Sequence, residues 1–293
     1  MRLSTLRQGA AVLDDEGAYL LPIPLGELVT LGLDRALEIG EEARRGTPVP
    51  FSEADLLLPH RPPSIRDFVT FESHVEGVRR SVDHAVGVPE AWYDAPTFYF
   101  TNPHALYGPG EPVPRPVTSR ALDFEMEVGC VVGSTLRSAS EEEAGRAIFG
   151  YTIVNDWSAR DLQAREMQVG LGPAKGKDFA TSIGPWIVTA DELPPAASGL
   201  DLDCRAYVND ALVGQDRLSN MHWTFPQLVA YASRDSVVMA GDLLASGTTG
   251  GGGCLAELWG RNGGQTPPPL EPGDVVRLEV ERLGVLLATV AGR

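Results

Sequence analysis

The stretch ALDFEMEVGCVV, residues 121–132, alternates apolar and polar side chains. A period of two is typical of a β-strand with one buried face, so Asp123, Glu125 and Glu127 share the opposite face. Glu125 and Glu127 then lie about 6.5–7 Å apart at their Cα atoms. A divalent cation between them would remove the repulsion between like charges. A solvent-exposed strand face is the alternative interpretation.

A proline-rich segment divides the chain into two parts. Residues 1–64 carry short strand patterns, a helical pattern over 25–45 and the turn-rich segment LLLPHRPPS, whose prolines cannot continue a helix. We therefore predict a small N-terminal domain over residues 1–64 and a larger domain over residues 65–293.

The larger domain is mostly β in pattern. It begins with apolar residues at helical spacing from residue 65 to about residue 84. Short strands rich in glycine follow, and YVNDALV predicts a hairpin around Asn209 and Asp210. These patterns predict a β-rich fold of the α+β class.

A second informative stretch is NDWSARDLQAREMQVGLGPAKGKDF, residues 155–179. Strand character changes to helix at Asn155, so we expect Asp156, Arg160, Gln163 and Met167 on one helix face. Asp156 is then either a helix N-cap or a third carboxylate ligand. With oxygen ligands alone, Mg²⁺ or Ca²⁺ is favoured, with Mn²⁺ as an alternative.

The loop GLGPAKGKDF lacks the spacing of a phosphate-binding loop. A lysine in such a loop is commonly on the surface. Beside a metal held by carboxylates, however, Lys177 is a candidate electrophile for a developing oxyanion.

Composition excludes several classes of partner. With 40 acidic and 24 basic residues and a net charge of −16, we expect no nucleic-acid or anionic-membrane partner. Cys130, Cys204 and Cys254 have no metal-ligand spacing and are expected to be reduced thiols. Without a signal peptide or a membrane-spanning apolar run, the sequence predicts a soluble, cytoplasmic protein.

The motifs LDFEMEV, NDWSARDLQ and GKDF together resemble the fumarylacetoacetate hydrolase family. PTFYFTNPHALYGPG resembles a His-bearing segment of that family, and GDLLASGTTGGGGCLAELW resembles its SGT loop and the segment that follows. The resemblance covers residues 65–290. It implies a mixed β-sandwich roll around a Mg²⁺ or Ca²⁺ site. Members cleave C–C bonds in β-diketo acids, and others decarboxylate, isomerise or dehydrate 2-oxo acids.

The resemblance also implies residue roles. The metal ligands would be Glu125, Glu127 and Asp156. The groups that bind the substrate and its oxyanion would be Arg160, Gln163, Lys177, Tyr99 and Thr248. His104 matches the catalytic base of fumarylacetoacetase, and Glu257 matches the carboxylate that orients it.

This sequence departs from the family pattern in three places. Thr97 occupies the position of an additional Asp ligand, and Met167 replaces a substrate-side tyrosine. His74 is a second candidate base, although Gly77 stands where small relatives carry a Glu, so that Glu76 is a possible substitute. Because Glu257 is present as a partner, we favour His104.

The expected function is that of a metal-dependent, homodimeric hydrolase that cleaves a C–C bond in a β-diketo acid during aromatic catabolism. Its substrate would be of the fumarylacetoacetate or acylpyruvate type. The alternatives are an oxaloacetate-type decarboxylase or tautomerase and a 2-oxo-3-deoxy sugar acid dehydratase on the same site. A metal-stabilised binding protein is the non-enzymatic alternative.

Overall fold

The computed structural model describes residues 1–83, 85–193 and 199–292. Its strands are β1 (Arg2–Leu6), β2 (Gly9–Leu13), β3 (Ala18–Leu20), β4 (Ile65–Phe68), β5 (Phe98–Thr101), β6 (Leu106–Tyr107), β7 (Leu122–Asp123), β8 (Met126–Val132), β9 (Leu136–Arg137), β10 (Ile148–Asp156), β11 (Ser158–Ala159), β12 (Thr181–Thr189), β13 (Asp203–Val208), β14 (Ala211–Arg217), β15 (Val237–Val238), β16 (Leu243–Ala245), β17 (Val275–Val280) and β18 (Gly284–Thr289). Its α-helices are α1 (Leu25–Thr30), α2 (Leu33–Ala43), α3 (Glu72–Val78), α4 (Glu90–Asp94), α5 (Glu141–Ala147), α6 (Arg160–Val169), α7 (Phe225–Ser233) and α8 (Leu255–Asn262). A π-helical turn, Arg79–Asp83, follows α3.

A ten-stranded mixed sheet organises the molecule in the order β3-β2-β1-β12-β10-β8-β16-β4-β5, with β6 beside β12. The pairs β16–β4 and β12–β6 are parallel, and the other pairs in this sheet are antiparallel. A second, antiparallel sheet has the order β14-β13-β17-β18. The β-rich mixed fold predicted from the sequence is therefore confirmed.

The central strands are buried on both faces. Every residue of β8 and β10 is buried, because hydrophobic clusters cover both faces of the sheet. The prediction that residues 121–132 form one strand with a single buried face is thus wrong in two respects. The strand is interrupted at Phe124 and Glu125, and its acidic side chains are buried as well.

The N-terminal segment continues the main sheet. Arg2 and Leu3 of β1 pair with Val188 and Ile187 of β12, and one hydrophobic cluster contains Leu3 together with Ile187. The division into domains at residue 64 remains a prediction.

Two further local predictions have clear outcomes. The hairpin is confirmed, because β13 and β14 are joined at Asn209 and Asp210, whose φ angles are 48° and 64°. The helix predicted from residue 65 is wrong at its start. Residues Ile65–Phe68 form a buried strand, and the helix begins at Glu72. In the described ranges, no helix is long and apolar enough to cross a bilayer.

Candidate metal centre and active site

Three buried carboxylates meet at the middle of the large sheet. Asp67 lies on β4, Glu127 lies on β8, and Glu125 directly precedes β8. Strand β16 joins these elements, because Ala245 pairs with Asp67 on one side and Gly129 on the other. Carboxylate oxygens of Asp67, Glu125 and Glu127 lie within 4.8 Å of one another.

Asp156 adds a fourth carboxylate. It ends strand β10, and its backbone N–H donates to the carbonyl of Glu125 at 3.2 Å. The Tyr99 hydroxyl joins the two sides of the cluster, because it lies 3.0 Å from Asp67 Oδ2 and also contacts Asp156 Oδ2. Since the strand runs through Asp156, the helix does not begin at Asn155 as predicted, and α6 begins five residues later, at Arg160.

Two cations contact this cluster. Arg160 donates from Nε to Asp123 Oδ2 at 2.8 Å and from Nη2 to Glu125 Oε1 at 2.6 Å. The Lys177 ammonium lies 2.5 Å from Asp156 Oδ2 and also contacts Glu125 Oε2. The glycine-rich loop therefore places Lys177 inside the molecule, where it is 3% exposed, and not on the surface.

The electrostatics of the cluster divide the carboxylates into two kinds. Burial raises the pKa of both Asp67 and Glu127 well above the usual range, and neighbouring carboxylates add to this effect. Burial also acts to raise the pKa of Glu125, but the charges of Lys177 and Arg160 outweigh it and lower the pKa. Four ionised carboxylates would carry more negative charge than Lys177 and Arg160 compensate, and the raised pKa values of Asp67 and Glu127 reflect this excess.

The donor set fits a hard divalent cation. Asp67 Oδ1, Glu127 Oε2 and Asp156 Oδ1 are buried and have no hydrogen-bond partner in the described part of the chain. Buried carboxylate oxygens without partners are costly unless protonated or bound to a cation. Since all the donors are oxygen atoms, Mg²⁺, Ca²⁺ and Mn²⁺ suit the site better than zinc does.

A buried histidine lies beside the cluster. His74 on α3 has Nε2 4.0 Å from Glu125 Oε1 and Nδ1 3.9 Å from Glu257 Oε2. Burial lowers the pKa of His74 to about 4 and raises the pKa of Glu257 to about 7. At neutral pH the imidazole is therefore uncharged and able to accept a proton.

His104 does not reach this site. It is exposed in the turn between β5 and β6, where its backbone N–H donates to Asn102 Oδ1. The expected pairing of His104 with Glu257 is therefore wrong, because α3 and α8 pack together and bring His74 to Glu257.

Gly77 explains the close approach of α3 and α8. A Cβ atom at this position would lie 2.4 Å from Glu257 Cγ. The glycine at the position of a family Glu thus leaves room for Glu257 itself. Glu76, the substitute considered from the sequence, pairs instead with Arg80.

The site opens into a cavity of about 490 Å³. Its polar lining contains all the predicted substrate-binding residues, namely Tyr99, Arg160, Gln163, Lys177 and Thr248, together with Asp67, His74, Glu125 and Glu127. Its other lining is mainly apolar and includes Val75, Val78, Trp92, Met167 and Pro173.

Thr248 is held by the glycine-rich SGT loop. Its hydroxyl is 3.5 Å from Glu127 Oε1. Gly247 has a φ of +77°, and a Cβ there would lie 2.2 Å from the carbonyl oxygen of Phe68. The loop therefore packs directly against the end of β4.

Asp67 is the site residue that the sequence interpretation missed. Thr97 was expected to stand in place of an additional Asp ligand, yet Asp67 already supplies a carboxylate to the cluster. The available signal was an acid inside the short apolar strand IRDF, seven residues before His74. A buried acid in such a strand requires a partner.

With this geometry established, the comparisons with known proteins agree. Residues 64–291 match the family model described as fumarylacetoacetate (FAA) hydrolase C-terminal, and the chain belongs to the fumarylacetoacetate hydrolase family. A 2,4-didehydro-3-deoxy-L-rhamnonate hydrolase from a Sphingomonas species is 33% identical over 204 residues, which cover 69% of this chain and 67% of that protein. Fumarylacetoacetase of Oryza sativa subsp. japonica is 28% identical over 300 residues, which cover 83% of this chain and 69% of that protein.

A solved structure supports the fold. The fumarylacetoacetate hydrolase from Exiguobacterium antarcticum superimposes with a TM-score of 0.77 at 24% identity, covering 100% of both chains. The fold expected from the resemblance is therefore confirmed.

Proposed function

We propose that the protein is a hydrolase that uses a divalent metal to cleave a C–C bond in a β-diketo acid of the acylpyruvate or fumarylacetoacetate type. The observation that carries this proposal is the buried His74–Glu257 pair beside the carboxylate cluster, in one cavity with Lys177. Membership of the family supports the same reaction class.

Asp67, Glu125, Glu127 and Asp156 would hold the cation, with Mg²⁺ as our first choice and Ca²⁺ or Mn²⁺ as alternatives. When bound, it supplies Lewis-acid stabilisation for a 2-oxo acid and for the enolate that C–C cleavage releases. The acidic cluster, 1–4% exposed in its four members, keeps water away from this charge.

His74 would act as the general base. Its imidazole takes a proton from water, and the resulting hydroxide adds to the distal carbonyl carbon of the substrate. Glu257 faces Nδ1 and stabilises the imidazolium that forms. The C–C bond then breaks, its electron pair remains on the departing enolate carbon, and that carbon takes a proton. The products are a carboxylic acid and an oxo acid, which is pyruvate for an acylpyruvate and a 3-oxo acid for a substrate of the fumarylacetoacetate type.

Lys177 and Gln163 would stabilise the oxyanion of the tetrahedral intermediate, and Arg160 would orient the substrate carboxylate. Gln163 receives a hydrogen bond from Arg160 Nη1 at 3.0 Å, which fixes its amide toward the cavity. Thr248 and Tyr99 would contact the 2-oxo acid end.

A decarboxylase or tautomerase on the same cluster needs no activated water. A dehydratase of 2-oxo-3-deoxy sugar acids removes a proton from carbon instead. The carboxylate of Glu257, 3.9 Å from His74 Nδ1, favours hydrolysis among these reactions, because it would stabilise the imidazolium that forms when His74 takes a proton from water.

The test measures pyruvate release from acylpyruvates, including fumarylpyruvate, with Mg²⁺ and then with excess EDTA. We expect metal-dependent pyruvate with an equimolar acid. His74→Ala should lose on the order of 10²–10⁴ in kcat, whereas His104→Ala should retain activity. Equal loss in both variants would contradict His74 as the base. Oxaloacetate consumption without acylpyruvate cleavage would replace the proposed reaction by decarboxylation.

We also retain as proposals the homodimeric state, the cytoplasmic location and a role in aromatic catabolism. Light scattering after size-exclusion chromatography measures the first of these.

A further inference from the structure

We propose that Arg79 selects substrates whose acyl chain ends in an anionic group, so that the enzyme prefers dicarboxylic over monocarboxylic 2-oxo acids. This inference rests on the proposed function for the orientation of the substrate, with its 2-oxo acid end at the carboxylate cluster. It names a specificity residue at the other end of the cavity.

Arg79 lines the cavity beyond the catalytic groups. It directly follows α3, five residues after His74, which is roughly 7.5 Å along the axis at the usual rise. The intervening lining from the same element is apolar and comprises Val75 and Val78. The acyl chain of a substrate whose 2-oxo acid end lies at the carboxylate cluster thus contacts apolar side chains before its other end reaches the guanidinium of Arg79.

A second element that lines the cavity, α6, shows the same change in polarity. On α6, Arg160 and Gln163 line the cavity near the cluster, and Met167 follows one turn after Gln163. The π-helical turn that contains Arg79 packs against α6. Along both elements the lining therefore changes from polar groups near the cluster to apolar side chains, and the guanidinium of Arg79 follows the apolar residues of α3.

The charge of Arg79 is not neutralised within the described part of the chain. The other two cations of the cavity, Arg160 and Lys177, both form ion pairs with carboxylates. Among the described side chains, no carboxylate lies within 4.0 Å of Arg79. Within the described residues, its Nη1 donates to the backbone carbonyls of Val86 and Gly87.

These contacts orient the guanidinium without using its charge. One nitrogen is held by two carbonyls, and the remaining N–H donors stay available for a bidentate contact with a carboxylate. Two acids nearby in the chain are engaged elsewhere, because Glu72 accepts from Tyr93 and Glu76 pairs with Arg80. The side chain of Asp83 lies outside the described part of the chain.

The experiment uses two acids that lack the cleavable β-diketone. Isothermal titration of the Mg²⁺-loaded protein compares 2-oxoheptanedioate with 2-oxoheptanoate, which have the same chain length and the same 2-oxo acid end. We expect the dicarboxylate to bind about tenfold to a hundredfold more tightly, the range of a charge-assisted hydrogen bond. Arg79→Gln should remove this preference while leaving the monocarboxylate affinity unchanged.

Arg80→Gln is the matched control. Arg80 is the next residue, pairs with Glu76 and lines a different cavity, so its loss should leave the preference intact. Equal affinities of the wild-type protein for the two acids, or a preference that survives in Arg79→Gln, would overturn the inference. Equal wild-type affinities for the two acids would contradict the inference even if neither variant folded.

This binding experiment separates the two proposals. If acylpyruvates are cleaved and the two acids bind equally, the role of Arg79 fails alone. If no acylpyruvate is cleaved and the dicarboxylate is still preferred through Arg79, the proposed reaction fails and the anion site stands.

Discussion

Asp67 is surrounded by groups of its own charge. Burial and the neighbouring Asp156 raise its pKa, and Oδ1 has no partner in the described part of the chain. We predict that Asp67→Asn raises the melting temperature of the EDTA-treated protein, because folding no longer requires an ionisable carboxyl group to be buried among like charges, while Tyr99 keeps an oxygen acceptor. The same change should weaken Mn²⁺ binding at least tenfold. Loss of a residue that only hydrogen-bonds to a metal ligand already lowers metal affinity roughly 10–100-fold.

Calorimetric titration with Mn²⁺ and thermal unfolding measure both effects. Asp191→Asn, at an exposed acid, is the control and should change neither. A lower melting temperature without metal, together with unchanged Mn²⁺ affinity, would make Asp67 a structural residue only.

Glu257 predicts a pH dependence of activity. Burial raises its pKa to about 7, so the carboxylate that faces His74 is fully formed only above this pH. We expect kcat/KM to rise as pH increases through about 7, and Glu257→Gln to lower activity and remove this limb. If kcat/KM of the wild-type enzyme did not change between about pH 5.5 and 8, a range that brackets the Glu257 pKa of about 7, the role of Glu257 beside His74 would be contradicted.

The same group has the opposite effect on stability. A carboxyl group whose pKa is raised on folding binds its proton more tightly in the folded protein. The stability it contributes is fully present below its ordinary pKa of 4.5 and is lost as pH rises through about 7. Activity and the Glu257 contribution to stability therefore change in opposite directions, and urea unfolding at several pH values measures the second.

At the scale of elements, Asp123 fastens α8 to α6. Its two carboxylate oxygens accept from the backbone N–H groups of Leu255 and Ala256 at 2.7 and 3.0 Å, at the first turn of α8. The same carboxylate pairs with Arg160 at the start of α6. One buried acid thus satisfies free helix N–H groups and a buried guanidinium.

We predict that Asp123→Ala lowers the free energy of unfolding by about 3–5 kcal/mol, because a buried charge and two N–H groups lose their partner. Asp123→Asn, which keeps one acceptor, should cost less. Urea denaturation gives both values. Asp203→Ala, which removes an exposed partner of Arg217, should stay within about 1 kcal/mol of the wild type.

The strands also show which structural features could be predicted from the sequence and which could not. Alternation over residues 121–132 correctly indicated strand structure around Glu127 and the proximity of Glu125 to Glu127, because side-chain periodicity is a local property. It could not indicate that both faces are buried, since this depends on helices and strands distant in the chain. Asp67 was missed for a related reason, because a strand of four residues is too short to show a period.

The choice between the two histidines was a tertiary question. The sequence around each histidine does not show how far its side chain lies from Glu257. The packing of α3 on α8 at Gly77 brings His74 close to Glu257. In contrast, the positions of Arg160, Gln163 and Lys177 could be predicted from one continuous stretch, because family motifs of that length fix the local structure that presents them.

At the scale of the whole molecule, residues 1–63 protect one edge of the core sheet from solvent. Strand β1 pairs with β12, and Leu3 and Leu28 share a hydrophobic cluster with Phe149 and Ile187 of the central strands. All four carboxylates of the cluster lie outside this segment, on β4, β8 and β10 or beside them.

We therefore predict that a chain lacking residues 1–63 aggregates and unfolds at a lower temperature, because an edge of β12 and its apolar neighbours become exposed. Supplying residues 1–63 as a separate peptide should restore part of the lost stability, since β1 can pair again with β12. Circular dichroism and light scattering during heating measure both effects against the intact chain. A shortened chain that stays monodisperse, unfolds cooperatively at the temperature of the intact chain and binds Mn²⁺ would instead establish the boundary at residue 64 as a true division between domains.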